Sequence, residues 1–162
     1  MNPIATLLPI WAQILLALIP AFAAASAAFG LFLNVKQSRR TNAQGRAAIV
    51  AKSLERFTDD EDMQEIFYKI EYSQFSYKQN EFHNSAEEKQ IDKLLMHWSI
   101  VALAWESGLL KTDDLRPLQY LVRRILRDKG VQEYLQFVTE WSSKAHLGSH
   151  PYIALTKMGK VL

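Results

Sequence analysis

The sequence predicts an all-α protein: one N-terminal transmembrane helix followed by a four- to five-helix cytoplasmic bundle. Two observations lead to this fold class. Residues 1–35 contain no charged side chain, and basic residues follow directly. In the remainder, apolar residues recur at the three- and four-residue spacing of amphipathic helices, and no alternating run is long enough for a sheet.

The uncharged segment is long enough to cross a membrane as a helix. A span needs about 20 apolar residues. Residues 10–33 are apolar except Gln13, Pro20 and Ser26. Because basic residues beside a span stay cytoplasmic, we expect a single-pass protein with its N-terminus outside and its C-terminal domain in the cytoplasm. The basic residues that set this orientation are Lys36, Arg39, Arg40 and Arg46.

A cleaved secretory signal is the alternative for this segment, because Ala23-Ala24-Ala25 resembles a cleavage site. Signal peptides begin with basic residues and have an apolar run of roughly 7–15 residues. Here the first residues carry no Lys or Arg and the run is longer, which favours a retained anchor with Trp11 at its outer end. Small side chains along one side of the span predict close helix–helix approach and self-association. They are Ala23, Ser26, Ala27 and Gly30.

We divide the chain into four parts: a transmembrane anchor (1–35), a basic juxtamembrane segment (36–46), a helical bundle (47–145) and a C-terminal tail (146–162). The 19 basic and 17 acidic residues all follow residue 35, and the net charge of +2 gives no strong attraction to nucleic acid. The lack of cysteine excludes disulfides, thiolate metal sites and cysteine nucleophiles.

Two capping-box patterns predict where bundle helices begin. Thr58 with Glu61 opens the second helix, and Ser85 with Glu88 opens the third. The third helix is apolar on nearly every side, so we expect it to be central. Its uncharged run, residues 94–105, is too short to be a second span. One face carries Ile91, Leu94, Leu95, Trp98, Val101, Ala102 and Trp105, and the other carries Met96, Ile100 and Leu103.

Proline and glycine positions predict the later helices. Pro117 fits the first turn of a fourth helix, and Gly130 fits its end. A fifth helix is expected from Gln132 to Trp141. The tail is expected to hold no more than a short helix after His150.

Residues that could carry catalysis are few. His146 and His150 are spaced i, i+4, but Gly148 interrupts that stretch. His97 is predicted to be a core histidine with one hydrogen-bond partner. The carboxylate pairs at 87–88 and 113–114 are predicted to stabilise helix starts. No P-loop, Rossmann, zincin or Gly-x-Ser-x-Gly pattern occurs. We therefore expect no enzyme activity, metal or cofactor, and leave open a hydrolase site assembled from distant residues.

Two groups of residues are candidate interaction surfaces. The first is an arginine face on the predicted fourth helix, suited to phosphates of lipid head groups or nucleic acid. Alternatively, it is a solvated face near the acidic start of the second helix. The second is an aromatic linker, expected at the surface, that either binds a partner or packs on its own bundle. The arginine face holds Arg116, Tyr120, Arg123, Arg124 and Arg127; the linker holds Tyr72, Phe75, Tyr77 and Phe82.

The order of these segments resembles a family of small bacterial single-span inner-membrane proteins classed only as a domain of unknown function. The resemblance covers most of the chain and implies a bacterial inner-membrane location, but no activity and no functional residues. It rests on the uncharged span followed by Lys36-Gln37-Ser38-Arg39-Arg40, then Phe57-Thr58-Asp59-Asp60-Glu61, then Ile91-Asp92-Lys93-Leu94-Leu95 and Glu106-Ser107-Gly108-Leu109-Leu110-Lys111.

The leading functional hypothesis is a membrane-anchored cytoplasmic module that acts by protein–protein interaction or homo-oligomerisation. Its expected partners are the lipid bilayer, a second copy through the span, and a protein of unknown identity. The alternative is a peripheral module that senses nucleic acid or nucleotides through Arg116, Arg123, Arg124 and Arg127, although the charge balance does not favour nucleic acid.

Overall fold

The computed structural model describes the backbone of residues 10–162 and the side chains of residues 30–162 other than Gln79 and Asn80. This part of the chain is helical and contains no strand, which confirms the all-α class. The helices are α1 (Ile10–Asp59), α2 (Glu61–Glu71), α3 (Gln79–Phe82), α4 (Ala86–Glu106), α5 (Gln119–Arg127), α6 (Lys129–Lys144) and α7 (Ile153–Val161), with a 3-10 turn at Thr112–Leu118.

The predicted span falls largely outside what is described. The side chains at Trp11, Ala23, Ser26 and Ala27 are not among the described residues. Nothing lies within 4 Å of the position that a Cβ would take at Gly30. Among the helices as described, none combines the length and apolar composition that crossing a membrane requires.

The chain divides into two compact units, Met1–Gln44 and Gly45–Leu162. In the first unit, the described apolar side chains are exposed: Leu31, Phe32, Leu33 and Val35. The second unit contains the hydrophobic core. Within it, α4 is central and packs against both α2 and α7.

The core of the second unit forms because each helix buries one apolar stripe. In α2 the stripe is Met63, Ile66, Phe67 and Ile70, which recur every three or four residues. In α4 it is Ile91, Leu94, Leu95, Trp98, Val101 and Ala102, all buried as predicted. Trp105 is only partly buried and packs at the edge of this core.

The expectation that α4 is central is confirmed, but one of its apolar faces is exposed. Met96, Ile100 and Leu103 are 45%, 56% and 54% exposed. Their spacing of four and three residues places them on one side of α4, and that side is exposed. We call these three residues the α4 stripe.

One of the two predicted helix starts is confirmed and the other is wrong. Ser85 caps α4, since its hydroxyl accepts a hydrogen bond from the backbone N–H of Glu88 at 3.1 Å. Thr58 does not cap α2, because α1 continues to Asp59 and the Thr58 hydroxyl donates to the Glu55 carbonyl instead. The cap is Asp60, which accepts from the backbone N–H of Met63 at 3.1 Å.

The predicted ends of the fourth helix are also wrong. Pro117 lies inside the 3-10 turn, and α5 ends at Arg127 rather than at Gly130. Asp128 then caps α6 by accepting from the Val131 N–H at 3.1 Å. Gly130 is in the first turn of α6 for a packing reason: a Cβ there would lie 2.9 Å from a Phe75 ring carbon and 3.0 Å from the Phe75 carbonyl oxygen.

The C-terminal tail contributes to the core. As predicted, it holds one short helix after His150, namely α7. Ala154, Leu155 and Met158 of α7 are buried, and this helix packs on α4. The packed unit therefore extends well beyond the residue 145 at which the sequence placed the end of the bundle.

Candidate interaction surfaces

The structure brings four of the five predicted arginine-face residues together. Tyr120, Arg123, Arg124 and Arg127 line a shallow cavity of about 450 Å³ along the outer side of α5, together with Gln119. Arg116 lies on the preceding 3-10 turn and pairs with Asp113 at 2.8 Å.

Arg124 is held by the end of α2 and is not free to bind a partner. Its guanidinium donates to the Ile70 carbonyl at 2.7 Å and to the Glu71 carbonyl, and its Nε lies 3.1 Å from the Glu71 carboxylate. Tyr120 donates its hydroxyl proton to the same carboxylate, and this hydrogen bond raises the pKa of Tyr120. The face therefore contacts the end of α2, and the predicted approach to the acidic start of α2 is wrong.

Two arginines of this surface remain available. Arg123 and Arg127 are exposed, and no acidic side chain of the described residues lies within ion-pair distance of either one. Like charges four residues apart on a helix repel by a few tenths of a kcal/mol. Arg123 and Arg127 therefore place two exposed guanidinium groups on the outer side of α5.

The aromatic linker is divided between the core and the surface. Phe75 and Phe82 are buried, with ring centroids 5.8 Å apart and an interplanar angle of 75°. For these two residues the expected surface position is wrong, and the alternative of packing on their own bundle is confirmed. Tyr77 is half-buried beside them, and Tyr72 is exposed and stacks on Tyr68 at 6.4 Å. Of the four, Tyr72 and Tyr77 have accessible surface.

His97 and His150 each make a hydrogen bond within the fold. His97 is buried and its Nε2 donates to the Ser53 carbonyl at 3.0 Å, which confirms the predicted core histidine with one partner. Burial lowers the pKa of His97 and so favours the neutral ring. His150 accepts a hydrogen bond from the Tyr152 N–H at 3.3 Å. Within the described residues, no group of three acidic or histidine side chains is placed to hold a metal ion.

The predicted carboxylate pairs lie at helix starts, as expected. Glu87 pairs with Lys69 at 2.8 Å. Asp114 accepts from the Lys111 N–H at 2.8 Å and from Arg46 at 2.7 Å. The Lys111 hydrogen bond and the Arg46 pair both lower the pKa of Asp114, so this carboxylate stays ionised.

A cluster of two buried tyrosines and the partly buried Asp92 joins α4 and α6 to the residue just before α7, and it was not predicted. One Asp92 carboxylate oxygen accepts hydrogen bonds from the Tyr134 hydroxyl at 2.6 Å and from the Tyr152 hydroxyl at 2.7 Å. Burial is the main cause that raises the pKa of both tyrosines, so their hydroxyls stay protonated and donate. The only sequence signal was a lone aspartate near the apolar face of α4, which does not reveal its distant partners.

Comparison of the chain with protein-family models, with curated proteins and with solved structures finds no match. The resemblance to single-span inner-membrane proteins therefore stays a prediction.

Proposed function

We propose that this protein is a membrane-attached helical module that acts through protein–protein contact, with a second copy of itself as partner. The observation that carries the proposal is the exposed α4 stripe. Apolar side chains spaced three and four residues apart form the seam through which helices pair. The exposure of these apolar side chains to water is unfavourable. An exposed apolar face on a helix that is otherwise packed therefore indicates a surface that a partner covers.

The flanks of the α4 stripe support a second copy as the occupant. Before the stripe along α4, Lys93 pairs with Asp60 and Asp62 at 2.8 Å each. After the stripe, Glu106 pairs with Lys157. Because the charges of Lys93 and Glu106 are paired within the chain, they do not call for a charged partner. The α4 stripe therefore fits a partner surface that is also apolar. A second α4 stripe has this property.

The positions along α4 favour antiparallel pairing. Lys89 lies in line with the α4 stripe, two turns before Met96. Parallel pairing would place the two Lys89 ammonium groups side by side, where their like charges repel each other. Antiparallel pairing instead places Met96 of one copy opposite Leu103 of the other, with Ile100 near the two-fold axis.

Membrane attachment strengthens such a pair. The support for attachment is the uncharged run of residues 1–35 followed by Lys36, Arg39 and Arg40. Three side chains bury far less than the ~800 Å² per partner of a standard interface. Confining both copies to one membrane raises their effective concentration, so that a small seam is enough.

Cysteine crosslinking tests this proposal, because the natural chain has no cysteine. We expect Ile100→Cys to form a disulfide-linked dimer in isolated membranes when a mild oxidant is added, since the two thiols meet near the axis. An impermeant maleimide should label this cysteine only after the membrane is opened, as a cytoplasmic position requires.

Ser143→Cys is the matched control, because Ser143 is exposed on α6 and is not part of the α4 stripe. It should stay monomeric under the same oxidant. Equal crosslinking at both positions would mean random collision, and no Ile100→Cys dimer would contradict the proposed partner. Recovery of the protein outside the membrane fraction would contradict attachment.

The arginine surface supports a second candidate function, binding of anionic lipid head groups. The specific observation is that Arg123 and Arg127 are exposed without an ion-pair partner among the described residues. Arginine guanidinium groups bind phosphate in a bidentate manner. Lys129, at the start of α6, adds a nearby cation whose side chain is 91% exposed.

The double variant Arg123→Gln/Arg127→Gln tests this second function. In detergent micelles, the natural chain should bind a fluorescent short-chain phosphatidylglycerol at low salt and release it as salt rises, since exposed charges are screened. The variant should lose this binding and keep its helical circular dichroism. Submicromolar, arginine-dependent binding of an oligonucleotide at physiological salt would favour the nucleic-acid alternative instead.

A further inference from the structure

A cleft beside Tyr77 combines aromatic rings with carboxylates. It lies between the segment that precedes α3 and the outer side of α6, and its volume is about 240 Å³. Its α6 residues recur every three or four positions and so share one face of that helix. We call it the aromatic–acidic cleft. It is lined by Tyr77, Glu133, Gln136, Phe137, Glu140, Trp141 and Lys144.

The aromatic rings of the cleft are held in place by packing behind them. The Tyr77 and Phe137 centroids are 5.8 Å apart, and His83 packs 4.7 Å from Phe137. Tyr77 also packs 5.5 Å from the buried Tyr134. Trp141, one turn after Phe137, is 54% exposed although tryptophan is usually covered. The faces of aromatic rings carry partial negative charge, so accessible rings in a cleft can attract a cation.

The charges of the cleft favour a cation. Glu133 and Glu140 contribute two carboxylates against the single ammonium of Lys144. Glu133 forms an ion pair with the exposed Lys129 at 3.7 Å. Glu140 accepts one hydrogen bond, from Gln136 at 3.0 Å, and pairs with no cation among the described residues, so its carboxylate keeps capacity for a ligand. Aromatic faces beside carboxylates are the usual setting for an alkylammonium or guanidinium group.

We propose that the aromatic–acidic cleft binds an organic cation, an alkylammonium or guanidinium group, between Tyr77, Phe137 and Trp141, with Glu140 as counter-ion. The cleft is smaller than the about 300–1,000 Å³ typical of sites for drug-sized molecules. It therefore holds one cationic group rather than a large ligand. The same group occurs on a small quaternary ammonium compound and on a lysine or arginine side chain of a protein.

The test is a titration of the full chain in detergent micelles with tetramethylammonium chloride, followed by fluorine NMR of fluorotryptophan-labelled protein. The Trp141 signal is assigned as the one missing from Trp141→Phe. We expect it to shift and saturate with tetramethylammonium and not with potassium chloride at equal ionic strength. Glu140→Gln should weaken binding by about fivefold, since it removes the counter-ion and keeps the side-chain shape.

Glu55→Gln is the matched control, because Glu55 is an exposed carboxylate on α1 that does not line the cleft. It should bind like the natural chain. Titration with N-acetyl-arginine amide distinguishes the two sources: tighter binding than tetramethylammonium points to a protein side chain, and weaker binding points to a quaternary ammonium compound. No saturable shift with either probe, or equal binding by Glu140→Gln, would overturn the proposal.

Discussion

Replacing Trp98 with alanine is expected to lower the free energy of unfolding by about 3–5 kcal/mol. Trp98 is 0% exposed at the centre of α4. Its ring lies 5.6 Å from Phe57 and 4.7 Å from His97, measured between centroids. Alanine would remove these contacts and leave a cavity that rigid helices on several sides cannot close. Thermal unfolding of the full chain in detergent micelles, followed by circular dichroism, measures the loss.

Trp98→Phe is the informative control for this position. The Trp98 indole N–H is buried, and no described residue accepts a hydrogen bond from it. Phenylalanine keeps much of the ring volume and removes an N–H group that makes no hydrogen bond. Trp98→Phe should therefore lower the free energy of unfolding clearly less than Trp98→Ala. If alanine and phenylalanine had the same small effect, the packing around Trp98 would be much looser than described.

Replacing Asp92 with alanine is expected to cost about 2–4 kcal/mol, the second largest effect. The variant leaves the Tyr134 and Tyr152 hydroxyls, which share one Asp92 oxygen, without their acceptor. Both tyrosines are buried, so water cannot easily replace the lost bonds. The cluster joins α4 to α6 and to Tyr152 just before α7, so these elements should loosen together. Urea unfolding of the same preparation measures the change.

Two matched variants separate hydrogen bonding from packing in this cluster. Asp92→Asn keeps an acceptor oxygen and should cost less than alanine. Tyr152→Phe removes one donor, and combining it with Asp92→Ala should cost less than the sum of the two single changes, because the same bond is lost in both. Fully additive effects would show that the Asp92–Tyr152 bond does not contribute to stability.

The sequence predicted the local structure of this protein well. Helix-period apolar residues predicted the buried faces of α2 and α4, since an amphipathic helix must bury its stripe wherever it packs. The Ser85 cap and the structural role of His97 were also predicted correctly. The Ser85 cap depends on near neighbours in the sequence, and the burial of His97 follows from its place among the apolar residues of α4, although its partner Ser53 is 44 residues away.

Only the tertiary structure decided which apolar and charged faces stay accessible. Thr58 and Asp60 can both cap a helix, and the continuation of α1 to Asp59 selects Asp60. Arg124 was predicted as part of a binding face, but the α2 carbonyls that hold it are more than fifty residues away in the chain. The same limit applies to Phe75 and Phe82, which lie in a polar segment and are nevertheless buried.

What the sequence by itself determined is therefore the helical class of the protein and most of its buried stripes, because these follow from spacing along the chain. The tertiary structure alone decided that the α4 stripe is exposed, that Asp92 joins two tyrosines, and that Tyr77 meets Phe137 and Trp141 at one cleft. Each of these depends on contacts between residues distant in sequence. Space in one small core is limited, so the packing of the helices against one another decides which faces are buried.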